Sequence, residues 1–188
     1  PYTTLFRSQG EGGKNALRAG IDCIEHGMFI DEEALDFMKA HGIPYVPTLV
    51  APWICAMVGE ERGLSKEAVE KTKSAIGRHM ESFRMAVKKG VKIAMGTDAG
   101  TPFCEHGKAY VGELRLMTEG GFTPMQAIVA ATKSSAEVVG VEKSRGTLEA
   151  GKEADFLILA ENPLDDLGAF EHIREVYKGG RRVERKYL

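Results

Sequence analysis

Two polar side chains stand where short apolar runs give out. In Gly20–Gly27, read GIDCIEHG, the run ends at His26 and Gly27; in Val91–Thr101, read VKIAMGTDAGT, it ends at Asp98, Ala99 and Gly100. Imidazole nitrogen and carboxylate oxygen are both standard ligands for zinc and similar divalent ions. Taken singly, each has a plainer explanation. A histidine among apolar residues is more often a structural hydrogen-bonder, and an Asp in a turn caps the next segment through its side chain. Taken together, they share one grammar: strand, ligand-type side chain, small turn residue. Parallel α/β barrels place their chemistry at the C-terminal ends of strands, so the pair points to a metal site at one end of a sheet.

The elements that must carry these residues are legible from periodicity and punctuation. Glu11–Ala19 reads as a short helix stopped by Gly20, and Ile21–Glu25 as a strand. Asp31 caps a helix running to Ala40, with Ala34, Leu35 and Met38 facing inward and Gly42 ending it. Ile43–Leu49 reads as a strand with a proline toward each end. Ala51–Gly63 reads equally as an apolar loop lining a pocket or as a short packed helix. Ser65 caps a long helix through Lys89, stopped by Gly90, with Val69, Ile76, Met80, Phe83 and Val87 on its buried face. His79 on that helix reads as a surface or core-edge residue. Val91–Met95 is the next strand, Tyr110–Glu119 a helix, and Thr123-Pro124 opens another that stops at Gly140. From Arg145 the character changes to β: a strand over Ala154–Leu159, then a hairpin of Ile173–Tyr177 and Arg182–Glu184 around Gly179-Gly180.

Composition bounds the class. The chain has 188 residues, 43% hydrophobic, with a formal net charge of -2 and both signs dispersed. That is enough for a packed core, and it gives no case for nucleic acid or a membrane as a partner. Cys23, Cys55 and Cys104 are odd in number and far apart, so they form neither a disulfide framework nor a paired zinc motif. The opening octapeptide, PYTTLFRS, has good strand propensity. Read back into codons, it also matches a common sequencing-adapter end. Residues 1–8 are therefore expected to be an artefact, with 9–144 an α/β unit and 145–188 a small β unit. By default the protein is placed in the cytoplasm.

Four motifs in order, IEHG, GTDAGTPF, HGKAYVGELRLMTEGGFTPMQAIVAAT and GTLEAGKEADFLIL, resemble the C-terminal half of the amidohydrolase superfamily. The likeness is greatest to its imidazolonepropionase-like and Xaa-Pro dipeptidase-like members. The resemblance implies an α/β fold, the C-terminal half of a (β/α)8 TIM-type barrel plus the C-terminal part of a small β-sandwich side domain. It implies one or two divalent metals, zinc above all, at the barrel mouth. His26 matches the sixth-strand histidine ligand and Asp98 the eighth-strand aspartate. The first-strand H-x-H pair and the fourth-strand carboxylated Lys of the family have no counterpart, and Arg7 stands where the fifth-strand histidine belongs.

The chemistry this implies is hydrolysis of a C–N bond in a small amide, peptide or cyclic amide. His26 and Asp98 hold metal, and Asp98 is also catalytic, taking the attacking water's proton and passing it to the leaving nitrogen. His106, in the loop beyond Asp98, and Tyr45 and Thr48, toward the end of their strand, are the substrate-binding candidates; core packing is the competing reading for Tyr45, and support of Asp98 or plain exposure for His106. Glu25 is not a ligand, because strand alternation turns it to the opposite face from His26. The intact parent is expected to be a homo-oligomer. Two other readings compete: a non-catalytic fragment or pseudoenzyme scaffold, and a phosphotriesterase or lactonase on the same barrel.

Overall fold

The computed structural model describes residues 4–5, 11–101 and 103–184. Arg7 and the rest of the opening octapeptide lie outside them, apart from Thr4–Leu5, which forms a strand, β1. There follow α1 (Glu11–Arg18), β2 (Cys23–Glu25), α2 (Glu32–His41), β3 (Tyr45–Val46), α3 (Val50–Val58) and α4 (Lys66–Lys89). The helix ends follow from local chemistry. Asp31 Oδ1 accepts the Ala34 N–H at 3.0 Å to start α2, and Ser65 Oγ accepts the Ala68 N–H at 3.2 Å to start α4. Gly42 at φ 68° and Gly90 at φ 71° end them in the left-handed region that glycine enters without a Cβ penalty. The apolar segment after β3 resolves as a helix, α3, rather than a loop.

β1, β2 and β3 form a parallel sheet in that order, with Ile24 opposite Tyr45 and Glu25 opposite Val46. The strand expected over Val91–Met95 is shorter than its sequence suggests: it makes a single parallel bridge, Ile93 to Tyr45. Beyond that bridge the segment leans on a helix. After α5 (Lys108–Glu119) and α6 (Pro124–Val129) comes a π-helical turn, Ala130–Ser134, then α7 (Ser135–Val138). The Met95 N–H reaches the Ala130 carbonyl at 3.2 Å and Ser135 Oγ at 3.2 Å, while the Ser135 hydroxyl lies 2.7 Å from the Ala130 carbonyl. The segment that presents Asp98 is thus braced by β3 on one side and by this irregular helix on the other.

The helices cover one face of the parallel sheet, where Leu35, Met38, Tyr45, Phe83, Leu114 and Met117 are fully buried. The opposite face carries a small cluster of Cys23, Val46 and Ala94. Past residue 145 a second sheet is antiparallel: β4 (Phe156–Leu159), β5 (Ile173–Lys178) and β6 (Arg181–Arg182), in that order. Its hairpin turns at Gly179 and Gly180, as the sequence predicts. The fold is therefore mixed α/β. Among the described residues, no helix is long and apolar enough to cross a membrane.

Candidate active site

Successive parallel segments end in the same unusual way. His26, the residue after β2, has φ 63°; Thr48, two residues after β3, has φ 55°; Asp98, at the end of the third segment, has φ 51°. Side chains rarely adopt this region, and each residue held there stores roughly 1–3 kcal/mol that the surroundings must offset. The alignment is fixed by the ladder: the His26 N–H donates to the Val46 carbonyl at 2.9 Å. Gly96 packs so closely here that a Cβ on it would lie 2.7 Å from Val46 Cγ1 and 3.3 Å from Thr48 Oγ1. The outcome is that His26 Nε2 and Asp98 Oδ2 stand 3.6 Å apart, with the Asp98 side chain 40% exposed and that of His26 only 11%.

Buried donors hold the strained peptide of His26. Its carbonyl receives the Tyr45 hydroxyl at 2.9 Å and the His79 Nε2 at 2.8 Å. Two donors on one carbonyl use both lone pairs and leave the peptide little freedom. Burial drives the His79 imidazole down to about 4, against the pull of the His26 and Pro47 carbonyls, so it works as a neutral ring. Burial likewise pushes the Tyr45 phenol up.

A second buried group lies behind β3. Glu113 of α5 is fully buried, with Oε1 accepting the Leu49 N–H at 3.0 Å and Oε2 the Val50 N–H at 2.6 Å. Burial pushes its carboxyl up to about 8; the two N–H donors oppose that shift and the charge of Asp98 adds to it.

Several expectations need correction. Tyr45 does not offer itself to a substrate: its side chain is in the core and its hydroxyl is spent on His26. Thr48 is buried as well, packed toward Gly96. His79 is a core residue rather than a surface one, because it sits one turn before Phe83 on the buried face of α4. His106 is exposed, with its Nε2 3.4 Å from where a Cβ on Gly100 would stand. It therefore borders the Asp98 loop. Sequence reasoning missed Glu113, although Ala109 and Met117, one turn to either side, are buried and mark its face as internal.

The donor set can be tested against a divalent ion. Two ligands about 2.0–2.1 Å from a zinc ion stand roughly 3.3 Å apart in a tetrahedron, close to the 3.6 Å between His26 Nε2 and Asp98 Oδ2. The pair fits as two ligands of one ion. Among the described residues, no group of three or more His, Cys, Asp or Glu is arranged to hold one.

The chain is similar to known proteins in sequence and in fold. The sequence model of the Amidohydrolase family matches residues 6–183. Ochratoxinase of Aspergillus niger is 38% identical over 172 residues, covering 88% of this chain and 34% of that protein. Imidazolonepropionase of Desulfotalea psychrophila is 32% identical over 105 residues, covering 53% of this chain and 25% of its own. The crystal structure of a Xaa-Pro dipeptidase with methionine bound in its active site superposes with a TM-score of 0.88 at 36% identity. It covers 98% of this chain and 45% of that one. The chain thus spans about a third to a half of the length of ochratoxinase and the dipeptidase.

Proposed function

Because the chain belongs to the amidohydrolase family, we propose that it is part of a metal-dependent hydrolase of C–N bonds in small amides or peptides. Residues 9–144 are read as the closing portion of a (β/α)8 barrel and 145–188 as part of a β side domain. The observation that carries this reading is the 3.6 Å approach of His26 Nε2 to Asp98 Oδ2. Both residues sit at strand ends in left-handed backbone, where holding a side-chain-bearing residue costs roughly 1–3 kcal/mol.

His26 and Asp98 would hold a divalent ion, zinc being the expected one. When bound, that ion supplies an acidified water and an electrophile for the substrate carbonyl. A catalytic zinc takes three protein ligands, so at least one more donor is assigned to residues outside those described. Asp98 takes the proton of the attacking water as the new C–O bond forms, and returns it to the nitrogen as the C–N bond breaks. Its partly exposed carboxylate suits a group that must meet both water and leaving amine. His26 is kept in register by Tyr45 and His79 through its carbonyl. His106, at the edge of the loop, is positioned to meet the substrate's outer end.

The likeness to a Xaa-Pro dipeptidase supports dipeptides as the first substrates to try. The test is hydrolysis of such compounds by the protein that carries this chain, before and after chelation. Activity should vanish on chelation and return with zinc, and His26→Ala should not recover it. Hydrolysis that survives both treatments would overturn the proposal.

A further inference from the structure

Glu113 is absent from the chemistry above, yet few side chains are placed with as much constraint. Its carboxyl is fully buried on α5, and both oxygens are used on consecutive backbone N–H groups, those of Leu49 and Val50. Those amides belong to the first turn of α3, which lacks a side-chain cap of its own. Glu113 therefore serves as a cap delivered from another helix. The preceding residue, Gly112, permits the approach: a Cβ there would lie 2.9 Å from Val50 Cγ2.

The corner so fixed leads to the mouth. Thr48, next to Leu49, is buried at φ 55° and faces Gly96, two residues before Asp98. The charge of Asp98 acts on Glu113, and Glu113 acts on Tyr45 and Cys104. No cation is paired with it among the described residues. A buried acid without a cation is costly in a core, and a hydrophobic residue would escape that cost only by leaving the Leu49 and Val50 N–H groups without this acceptor. The cost is explained if the corner's exact placement matters.

We propose that Glu113 is a positioning residue for the mouth: it locks the β3–α3 corner and, through Thr48 and Gly96, the backbone that presents Asp98. The inference rests on the reading of His26 and Asp98 as metal ligands, and its test separates the two.

The chain supplies its own reporter, because its single tryptophan, Trp53, lies on α3 and is 42% exposed. Trp53 emission would be measured in the chain, and Co2+ affinity in the protein that carries it, for wild type, Glu113→Gln, Glu113→Asp and Gly112→Ala. Gln has one acceptor oxygen, and its amide nitrogen would confront an N–H donor. Glu113→Gln should shift Trp53 emission and weaken Co2+ binding roughly 10-fold, with helix content unchanged. Glu113→Asp, which keeps two acceptor oxygens, should recover much of both. Gly112→Ala leaves the carboxyl in place but presses on Val50, and should move both readouts the same way. It decides the matter if Glu113→Gln does not fold.

Wild-type emission and affinity in Glu113→Gln or in Gly112→Ala would overturn the proposal. So would equal damage by Gln and Asp accompanied by loss of helix. If the protein that carries this chain binds no Co2+, the metal-ligand reading fails, and Trp53 emission of the chain alone decides the role of Glu113.

Discussion

The region from Glu11 to Val138 and the sheet from Phe156 to Arg182 differ in which residues they admit to left-handed backbone. Both need residues in the left-handed region. In the C-terminal sheet and the turns before it, those positions are Gly146, Gly151, Gly179 and Gly180. At the mouth they include Gly27 and Gly100, but also His26, Thr48 and Asp98. Glycine relaxes such a backbone at no steric cost, so its absence from these three positions points to side chains that matter there more than strain relief does. Burial differs too. The helices around the parallel sheet enclose Leu35, Met38, Phe83, Leu114 and Met117, whereas Leu157, Ile158 and Val183 remain 41–44% exposed on the antiparallel sheet. One region is built around a tightly held core and the other is loosely covered.

The largest expected effect falls on the mouth alone. Asp98→Asn keeps shape and tolerates positive φ, but cannot carry a proton. Turnover in the protein that carries this chain should fall by ~10²–10⁴, with circular dichroism unchanged. A variant within twofold of wild type would remove the mouth's special standing. Next is the contrast in cores. Phe83→Ala should cost about 3–5 kcal/mol by urea denaturation, since Phe83 is buried so closely under Gly120 that a Cβ there would lie 2.3 Å from its ring. Leu157→Ala should cost about 0.5 kcal/mol or less. Equal losses would show that the second sheet is covered after all.

A third measurement concerns pH. The folded Glu113 carboxyl is raised from 4.5 to about 8, so over that window the folded chain keeps a proton that the unfolded chain has released. Stability contributed by Glu113 is then full below about 4.5, falls as pH rises, and levels off above about 8. Glu113→Gln should remove that part of the slope in urea midpoints; an unchanged slope would assign it elsewhere. The smallest effect tests the backbone contrast itself. Asp98→Gly should stabilise by about 1 kcal/mol while Gly179→Ala costs about 1 kcal/mol. Same-sign changes would mean that strain does not divide the two regions.

What could be read in advance was local. Asp31 with Gly42 and Ser65 with Gly90 bracket α2 and α4 where the sequence puts them, because a cap is decided by residues within one turn. Strands are longer in the sequence pattern than in the fold: Ile21–Glu25 shrinks to Cys23–Glu25 and Ile43–Leu49 to Tyr45–Val46. A strand ends where its partner ends, and the partner is remote in sequence. The pairing of His26 with Asp98 was legible because both end apolar runs before small turn residues. Tyr45, His79 and Glu113 were not legible as supports. Their acceptors and donors are main-chain groups of other elements, which leave no mark on side-chain pattern.

The bridge between Tyr45 and Ile93 has a kinetic consequence. Those two residues pair in parallel, and α3 and α4 lie between them in the chain. Capped α4 can nucleate by itself in microseconds, but the bridge must await the return of the chain across both helices. His26, Thr48 and Asp98 are each tied to such remote pairings, so in refolding the helical signal should rise well before the mouth exists. During that interval the sheet edge stands open to other chains.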